Sequence, residues 1–243
     1  MDVYERLAGY YDLIYCDRLD LDFYMLEAKN ARGPVLEAGC GTGRILLRLL
    51  SEGIEAVGMD ISPPMIERLK QKAEGMGLNP EVHVADMADF DLGRTFSLII
   101  VPYRSLLHLD GVQRKKALAC FMEHLDKGGR LILHTYDPSD EERSMTEGYH
   151  LFESESLVSP EGKPYKLDWY LKYEKKGDQG HYRIAITTYG EREEFEMDIH
   201  YVEPKEMRQL LSSSGFRNIK AYCGFDYSPF DADCREVIWV AEK

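Results

Sequence analysis

Apolar positions along the chain follow two different rhythms. From about residue 35 to 137, short unbroken apolar runs (PVLEA, EAVGMD, VHVA, FSLIIV, RLILHTY) read as buried strands. Between them lie RILLRLLSEG, PPMIERLKQKAEGMG and VQRKKALACFMEHLDKGG, which carry apolar residues at helical spacing and stop at glycine. Alternation of this kind predicts a parallel sheet with helices on both faces. Ser62 followed by Pro63 and Pro64 suits a helix start, with a hydroxyl cap and prolines in the first turn, where no N–H is needed.

Between 164 and 202 the period drops to two. YKLDWYLKY sets Tyr165, Leu167, Trp169, Leu171 and Tyr173 on one face; HYRIAITTY sets Tyr182, Ile184 and Ile186; EFEMDIHYV sets Phe195, Met197, Ile199 and Tyr201. KKGDQG and YGERE supply the turns. The pattern predicts a three-stranded antiparallel meander with one apolar face, and with Asp168, Glu174, Glu196 and Asp198 turned to solvent. A sheet of that size must cover its apolar face, on the main domain or on a second subunit. EPKEMRQLLSSSG then reads as a helix stopped by Gly215, and NIKAYCGF and REVIWVAEK as a closing strand pair.

Charge narrows the partners. The 243 residues hold 43 acidic and 30 basic side chains, a net charge of −13. No Lys/Arg cluster resembles a phosphate-gripping face, so nucleic acid is not an expected partner. The longest apolar run, FSLIIV at 96–101, is far too short to cross a bilayer, so no membrane is expected either. The start MDVYERLAGYYDLIY is acidic and aromatic, unlike a signal peptide. Cys16, Cys40, Cys120, Cys223 and Cys234 are odd in number and form no Cys-x-x-Cys pair. They suggest neither a zinc site nor a disulfide framework, and a cytoplasmic location is expected. His83, His124, His134, His150 and His200 show no metal-ligand spacing, so no metal is expected.

The chemistry centres on VLEAGCGTGRI at 35–45. A P-loop needs Gly-Lys-Ser/Thr, but Gly43 is followed by Arg44 and Ile45. A dinucleotide turn needs G-x-G-x-x-G, a spacing absent here, and Glu37 would add a negative charge at the phosphate mouth. A cofactor with no phosphate and a positive centre satisfies both anomalies.

These residues resemble the first motif of the class I S-adenosylmethionine-dependent methyltransferases, and the resemblance continues in order. AVGMD ends in Asp60, matching the acid that holds the cofactor ribose in that family. VHVADM supplies Asp86 and Met87, matching the pair at the adenine edge, with Asp89 close by. FSLIIVPYRSLLHL matches the strand and loop facing the transferred methyl, and LDKGGRLIL the turn and strand that follow. YERLAGYYDLIY, with Tyr4, Ala8, Tyr11 and Asp12, resembles the opening of small-molecule methyltransferases such as the aminosugar and glycine N-methyltransferases. In those relatives the N-terminal helix folds over the cofactor.

The resemblance implies a Rossmann-like seven-stranded α/β sheet with helices on both faces, to which the periodicity adds an inserted β meander. It divides the chain into an N-terminal cover (1–33), a cofactor core (34–137), a meander lid (138–203) and a closing helix and strand pair (204–243). It implies S-adenosylmethionine as cofactor, held by Tyr11, Glu37, Ala38, Gly39, Cys40, Gly41, Gly43, Asp60, Ile61, Met65, Asp86, Met87, Val101 and Pro102. Cys40 also reads as a small filler. Tyr103 and Arg104 are the substrate-side candidates, and His108 and Tyr11 the catalytic ones. Arg104 and His108 lie one helical turn apart, so on a helix they would share a face. The expected reaction is in-line methyl transfer to a nitrogen or oxygen of a small-molecule acceptor, by a monomer or homodimer. The remaining alternatives are a nicotinamide oxidoreductase, a protein or tRNA methyltransferase, and a non-catalytic module that only binds the cofactor.

Overall fold

The computed structural model describes residues 3–15, 20–176 and 178–243. Helices α1 (Val3–Leu7), α2 (Tyr11–Ile14) and α3 (Leu21–Lys29) come first. Then follow β1 (Val35–Ala38), α4 (Leu46–Ser51), β2 (Ala56–Asp60), α5 (Pro63–Gly75), β3 (Glu81–Val84), β4 (Phe96–Val101), α6 (Gly111–His124) and β5 (Leu125–Tyr136). A short α7 (Asp140–Ser144) precedes β6 (His150–Val158), β7 (Pro164–Glu174), β8 (Gln179–Thr188) and β9 (Glu191–His200). The chain closes with α8 (Pro204–Ser213), β10 (Arg217–Cys223) and β11 (Glu236–Glu242). They form two compact units, one of residues 1–16 and 138–201, the other of 17–137 and 202–243.

The larger unit is a seven-stranded sheet in the order β10-β11-β5-β4-β1-β2-β3. Strands β1 to β5 run parallel, and β11 pairs antiparallel with β5, Trp239 opposite Leu133. The apolar runs seen in the sequence are these central strands. Val35, Leu36, Leu98, Ile99, Ile100, Leu131 and Ile132 are sealed from solvent, as strands covered on both faces require. Helix α6 starts where Asp110 accepts from the N–H groups of Val112 and Gln113 while Gln113 reaches back, a reciprocal cap. The segment LDKGG, read as the end of that helix, instead opens β5: Phe96 pairs with Leu125, and the register shifts before Leu98 pairs with Arg130. Gly129 makes that possible, because a Cβ there would lie 2.9 Å from the Asp126 carbonyl.

The smaller unit holds an antiparallel sheet in the order β6-β7-β8-β9, with four strands rather than the three read from periodicity. The additional strand, HLFESESLV, is almost wholly exposed on both faces and so has no apolar period to detect. Within this unit the apolar face is covered by the N-terminal helices. Leu7 and Ile14 pack with Leu167, Ile184, Ile186 and Phe195, and Tyr4, Tyr10, Tyr11, Tyr15, Trp169 and Met197 border them. Glu174, Glu196 and Asp198 face outward as anticipated, but Asp168 is buried. It accepts from Ser154 Oγ at 2.7 Å and from Lys166 Nζ, and these bonds hold its carboxyl below the usual range.

Cysteine pairing departs from the sequence reading. Cys223 and Cys234 form a disulfide across the loop joining β10 to β11, while Cys40 and Cys120 are free and Cys16 lies outside the described residues. No motif marks the pair; the return of the chain between antiparallel strands brings the two residues together. Closing a loop of this length restricts the unfolded chain by about 3 kcal/mol. Oxidised protein should therefore unfold at higher denaturant than protein reduced with dithiothreitol, and a C223S/C234S variant should match the reduced form. Coincident unfolding curves would show that the bridge contributes nothing.

Candidate functional site

Chain order reverses beside β1: β2 and β3 continue to one side, β4 and β5 to the other. Open α/β sheets bind ligands at the carboxyl edge of such a point. At that edge the glycine segment leaves β1 with Gly39, Gly41 and Gly43 all left-handed, at φ 79°, 51° and 83°. Such angles are strained for any residue with a Cβ. Space forbids one as well, since a Cβ on Gly39 would lie 2.9 Å from Ser105 Oγ in the loop after β4. The turn is tied down by backbone bonds from Gly39 and Cys40 to the Met59 carbonyl, at 2.8 and 3.0 Å. Asp60 completes it: its carboxylate accepts from the N–H of Gly41 at 2.8 Å and of Ser62 at 2.9 Å. The acid that the resemblance assigns to ribose thus also orders the loop around it.

The other cofactor candidates divide by exposure. Ala38, Val101 and Pro102 are buried at the strand ends, and Met65 is sealed in the first turn of α5. Ile61 stands 58% exposed beside Asp60, and Met87 lies against Gly39. Asp86 accepts from the Ala88 N–H at 2.8 Å, fixing the turn after β3, while Asp89 is exposed. Cys40 is a buried filler against Gly58, and burial pushes its thiol up, away from reactivity.

Glu37 is the exceptional group. It sits in the middle of β1, 2% exposed, and its Oε2 has no hydrogen-bond partner among the described residues. Burial pushes its carboxyl up to about 8, against the opposing pull of the Arg44 charge and the Leu46 N–H. A carboxyl enclosed in this way is poised to receive a cation.

Beyond β4, Tyr103 and Arg104 are both left-handed, at φ 51° and 63°. Arg104 pairs with Glu236 through two nitrogens and covers the Tyr136 ring at 4.0 Å. Glu236 also accepts from His134 Nε2 at 2.5 Å. Arg44 covers the Tyr103 ring at 5.4 Å while paired to Asp20 through two bonds of 2.5 and 2.6 Å. His108 ends a short 3-10 turn, Ser105–His108, and is half-buried. Arg104 precedes that turn with a left-handed backbone, so the two residues do not share a helix face as anticipated. Tyr11 belongs to the smaller unit, where its ring lies 4.5 Å from that of Tyr15.

Glu236, Asp20 and the polar role of His134 escaped sequence reasoning. Glu236 opens the last strand, and nothing in REVIWVAEK marks its acid as more than a strand-end charge. Burial raises the Glu236 carboxyl, but the His134 hydrogen bond and the Arg104 charge outweigh it and lower the group to about 2. His134 itself is lowered by burial, so its Nε2–H is the donor and its ring is neutral. A carboxyl whose folded value is depressed stabilises the fold above its unfolded value near 4.5 and loses that contribution as pH falls toward 2. The Glu236 side chain is 37% exposed, so the contribution is discounted to about 1 kcal/mol. Wild-type protein should exceed E236Q in stability at pH 6 to 7, and the gap should close as pH approaches 2. Denaturant unfolding across that range measures it, and a gap independent of pH would contradict the assignment.

Residues 35–129 match the model of a methyltransferase domain. The chain is 31% identical over 140 residues to a dTDP-3-amino-3,4,6-trideoxy-alpha-D-glucopyranose N,N-dimethyltransferase of Streptomyces venezuelae, covering 53% of this chain and 56% of that protein. It is 27% identical over 230 residues to a glycine/sarcosine/dimethylglycine N-methyltransferase of Actinopolyspora halophila, covering 90% of this chain and 38% of that one. The chain thus spans little more than half the length of the first relative and well under half of the second. Its fold superposes on an S-adenosylmethionine-dependent methyltransferase of Clostridium acetobutylicum ATCC 824 with a TM-score of 0.81, at 17% identity, covering 99% of both chains. No described helix is long and apolar enough to cross a membrane. The chain therefore shares the fold of S-adenosylmethionine-dependent methyltransferases, and its residues 35–129 match a methyltransferase domain.

Proposed function

We propose that the protein is an S-adenosylmethionine-dependent methyltransferase acting on the amine of a small-molecule acceptor. The observation that carries the reading is Glu37: a buried carboxyl with an unpartnered oxygen, beside a bare glycine turn at the ligand-binding edge of the sheet. A phosphate cofactor is repelled by such a group, whereas a cationic one completes it. The backbone of Gly39, Cys40, Gly41 and Gly43 would lie along the cofactor. Asp60 would take the ribose hydroxyls and Ile61, Met65, Asp86 and Met87 the adenine, with Ala38, Val101 and Pro102 completing the surround. When bound, the cofactor supplies an electrophilic methyl on a sulfonium.

The chain's own contribution is to hold the acceptor in line and dry, and positioning of this kind is worth at most about 7–11 kcal/mol of the barrier. Tyr103 and Arg104 are the acceptor-facing residues in this reading. An amine that enters unprotonated needs no strong base; a hydroxyl acceptor would need one, and His108 is the first candidate. Nitrogen is favoured because the two curated relatives named above are N-methyltransferases, of an amino sugar and of glycine. The test is transfer of isotopically labelled methyl from S-adenosylmethionine to a panel of amino sugars, glycine and their hydroxyl analogues. Labelled amines support the reading; labelled hydroxyl analogues alone would move the acceptor to oxygen. Tight binding of NAD, with none of S-adenosylmethionine, would overturn it.

Glu37 generates a pH signature. Because its carboxyl is raised to about 8, it is largely protonated at pH 7 in the free protein. The cofactor's ammonium and sulfonium charges favour the carboxylate, so binding should expel a proton and affinity should rise between pH 6 and 7.5. Calorimetry of S-adenosylhomocysteine binding, in two buffers of different ionisation enthalpy, reads the proton released. The signal should vanish in E37Q, and its absence from the wild-type protein would remove Glu37 from the site.

A further inference from the structure

The arginine that the proposed function turns toward the acceptor is already committed. Arg104 donates from Nε to Glu236 Oε2 at 3.3 Å and from Nη2 to Glu236 Oε1, the two-pronged fit of a planar guanidinium on a carboxylate. One face of the same group covers the Tyr136 ring, 4.0 Å from its centroid. Glu236 is fixed in turn by His134 on the adjacent strand, whose Nε2 donates to Oε2 at 2.5 Å. The Arg104 and Glu236 side chains are 35% and 37% exposed, so the pair is tied into the sheet yet open to a ligand.

Charge decides what such a pair can recognise. Glu236 is an anion at every working pH and the His134 ring is neutral, so Arg104, Glu236 and His134 together carry no net charge. The second arginine beside the loop, Arg44 over the Tyr103 ring at 5.4 Å, is held by Asp20 through bonds of 2.5 and 2.6 Å. An incoming carboxylate or phosphate therefore meets each arginine with a protein carboxylate in place. It must displace that anion or lie beside it, and both are unfavourable. A hydroxyl or amide meets no such opposition.

We infer that Glu236 determines acceptor specificity: by occupying Arg104 it selects amines whose neighbouring groups are uncharged and rejects those that carry a carboxylate or phosphate beside the amine. This rests on the proposed function, in which Arg104 faces the acceptor. It divides the amine class named there, setting hydroxyl-bearing amines apart from amino acids. The role is separate from stability, because a purely structural ion pair affects every acceptor alike, whereas a neutralising one acts on the acceptor's charge.

The test uses matched acceptors. Glycinamide and glycine differ in an amide for a carboxylate; glucosamine and 2-amino-2-deoxyglucuronic acid differ in a hydroxymethyl for a carboxylate. Methyl transfer is expressed as a ratio of kcat/KM, neutral member over charged member, and comparing that ratio between proteins cancels the intrinsic reactivity of each amine. A pair that binds without being methylated gives the same ratio from inhibition of the amine that is labelled. Wild-type protein should favour the neutral member of each pair. E236Q should lower the ratio about ten-fold, because Arg104 is released to bind the substrate carboxylate. The double variant R104Q/E236Q should lose that gain, and E236D, which keeps the charge, should retain the wild-type preference. R104Q alone leaves Glu236 unopposed and should raise the ratio, a readout that does not depend on E236Q folding. Calorimetry should find S-adenosylhomocysteine affinity within about two-fold of wild type in every variant, as expected for a residue that acts on the acceptor alone. A ratio unchanged in both E236Q and R104Q, a wild-type preference for the charged members, or a gain that survives in the double variant would overturn the inference. Transfer by wild-type protein to no amine and no hydroxyl analogue would instead refute the proposed function.

Discussion

The carboxyl edge of the core sheet depends on how the chain leaves β1. Between Ala38 and Leu46 it must clear the strand, pass the loop that follows β4 and enter α4, and it does so with three left-handed backbone angles. Glycine removes the steric penalty of those angles but supplies no side chain to hold them. The restraint comes from the neighbouring strand: the Met59 carbonyl and the Asp60 carboxylate together accept from the N–H groups of Gly39, Cys40 and Gly41. Positions 59 and 60 therefore specify the shape of residues 39–43, and the parallel pairing of β1 with β2 sets the reach between them.

The loop after β4 solves a related problem differently. Tyr103 and Arg104 adopt left-handed angles without being glycine, a conformation costing of the order of 1–3 kcal/mol per residue that persists only where surrounding structure over-determines it. Both side chains are held by charge. Arg44, itself fixed by Asp20, covers the Tyr103 ring; Glu236, supported by His134, takes the Arg104 guanidinium. The restraints come from α3, the glycine turn, β5 and β11, so this loop is set by segments far apart in sequence.

That distribution explains which parts were legible. Strands buried on both faces appear as unbroken apolar runs, so β1, β2, β4 and β5 could be read directly, and so could the period-two strands β7 to β9. Strand β6 could not, because an exposed strand shows no contrast between faces. Asp168 was assigned to solvent by parity alone, but Ser154 on the unreadable strand and Lys166 on its own strand enclose it. The Cys223–Cys234 pair, the Glu236 clamp and the unpartnered Tyr24 hydroxyl share one cause of invisibility. Each is defined by partners, or by the lack of one, that only the tertiary fold determines. Glu37 was visible as an anomaly because an acid two residues before the glycine turn puts a negative charge where a phosphate would sit, and that conflict is local in the sequence.

Glu37 and Glu236 show what the fold does with the same side chain in two settings. Both are glutamates on strands of one sheet, and burial raises both. Glu236 is given a neutral histidine donor and an arginine, and is lowered to about 2, a fixed anion at every working pH. Glu37 has the Leu46 N–H and the more distant charge of Arg44, which already serves Asp20, and is raised to about 8. The difference lies in completeness of pairing: a carboxylate with all its partners is part of the scaffold, whereas one with an oxygen unmet keeps its capacity to respond to an arriving charge. By that criterion the Glu236 carboxylate is structural, and the responsive carboxyl is Glu37, whose second oxygen remains to be satisfied.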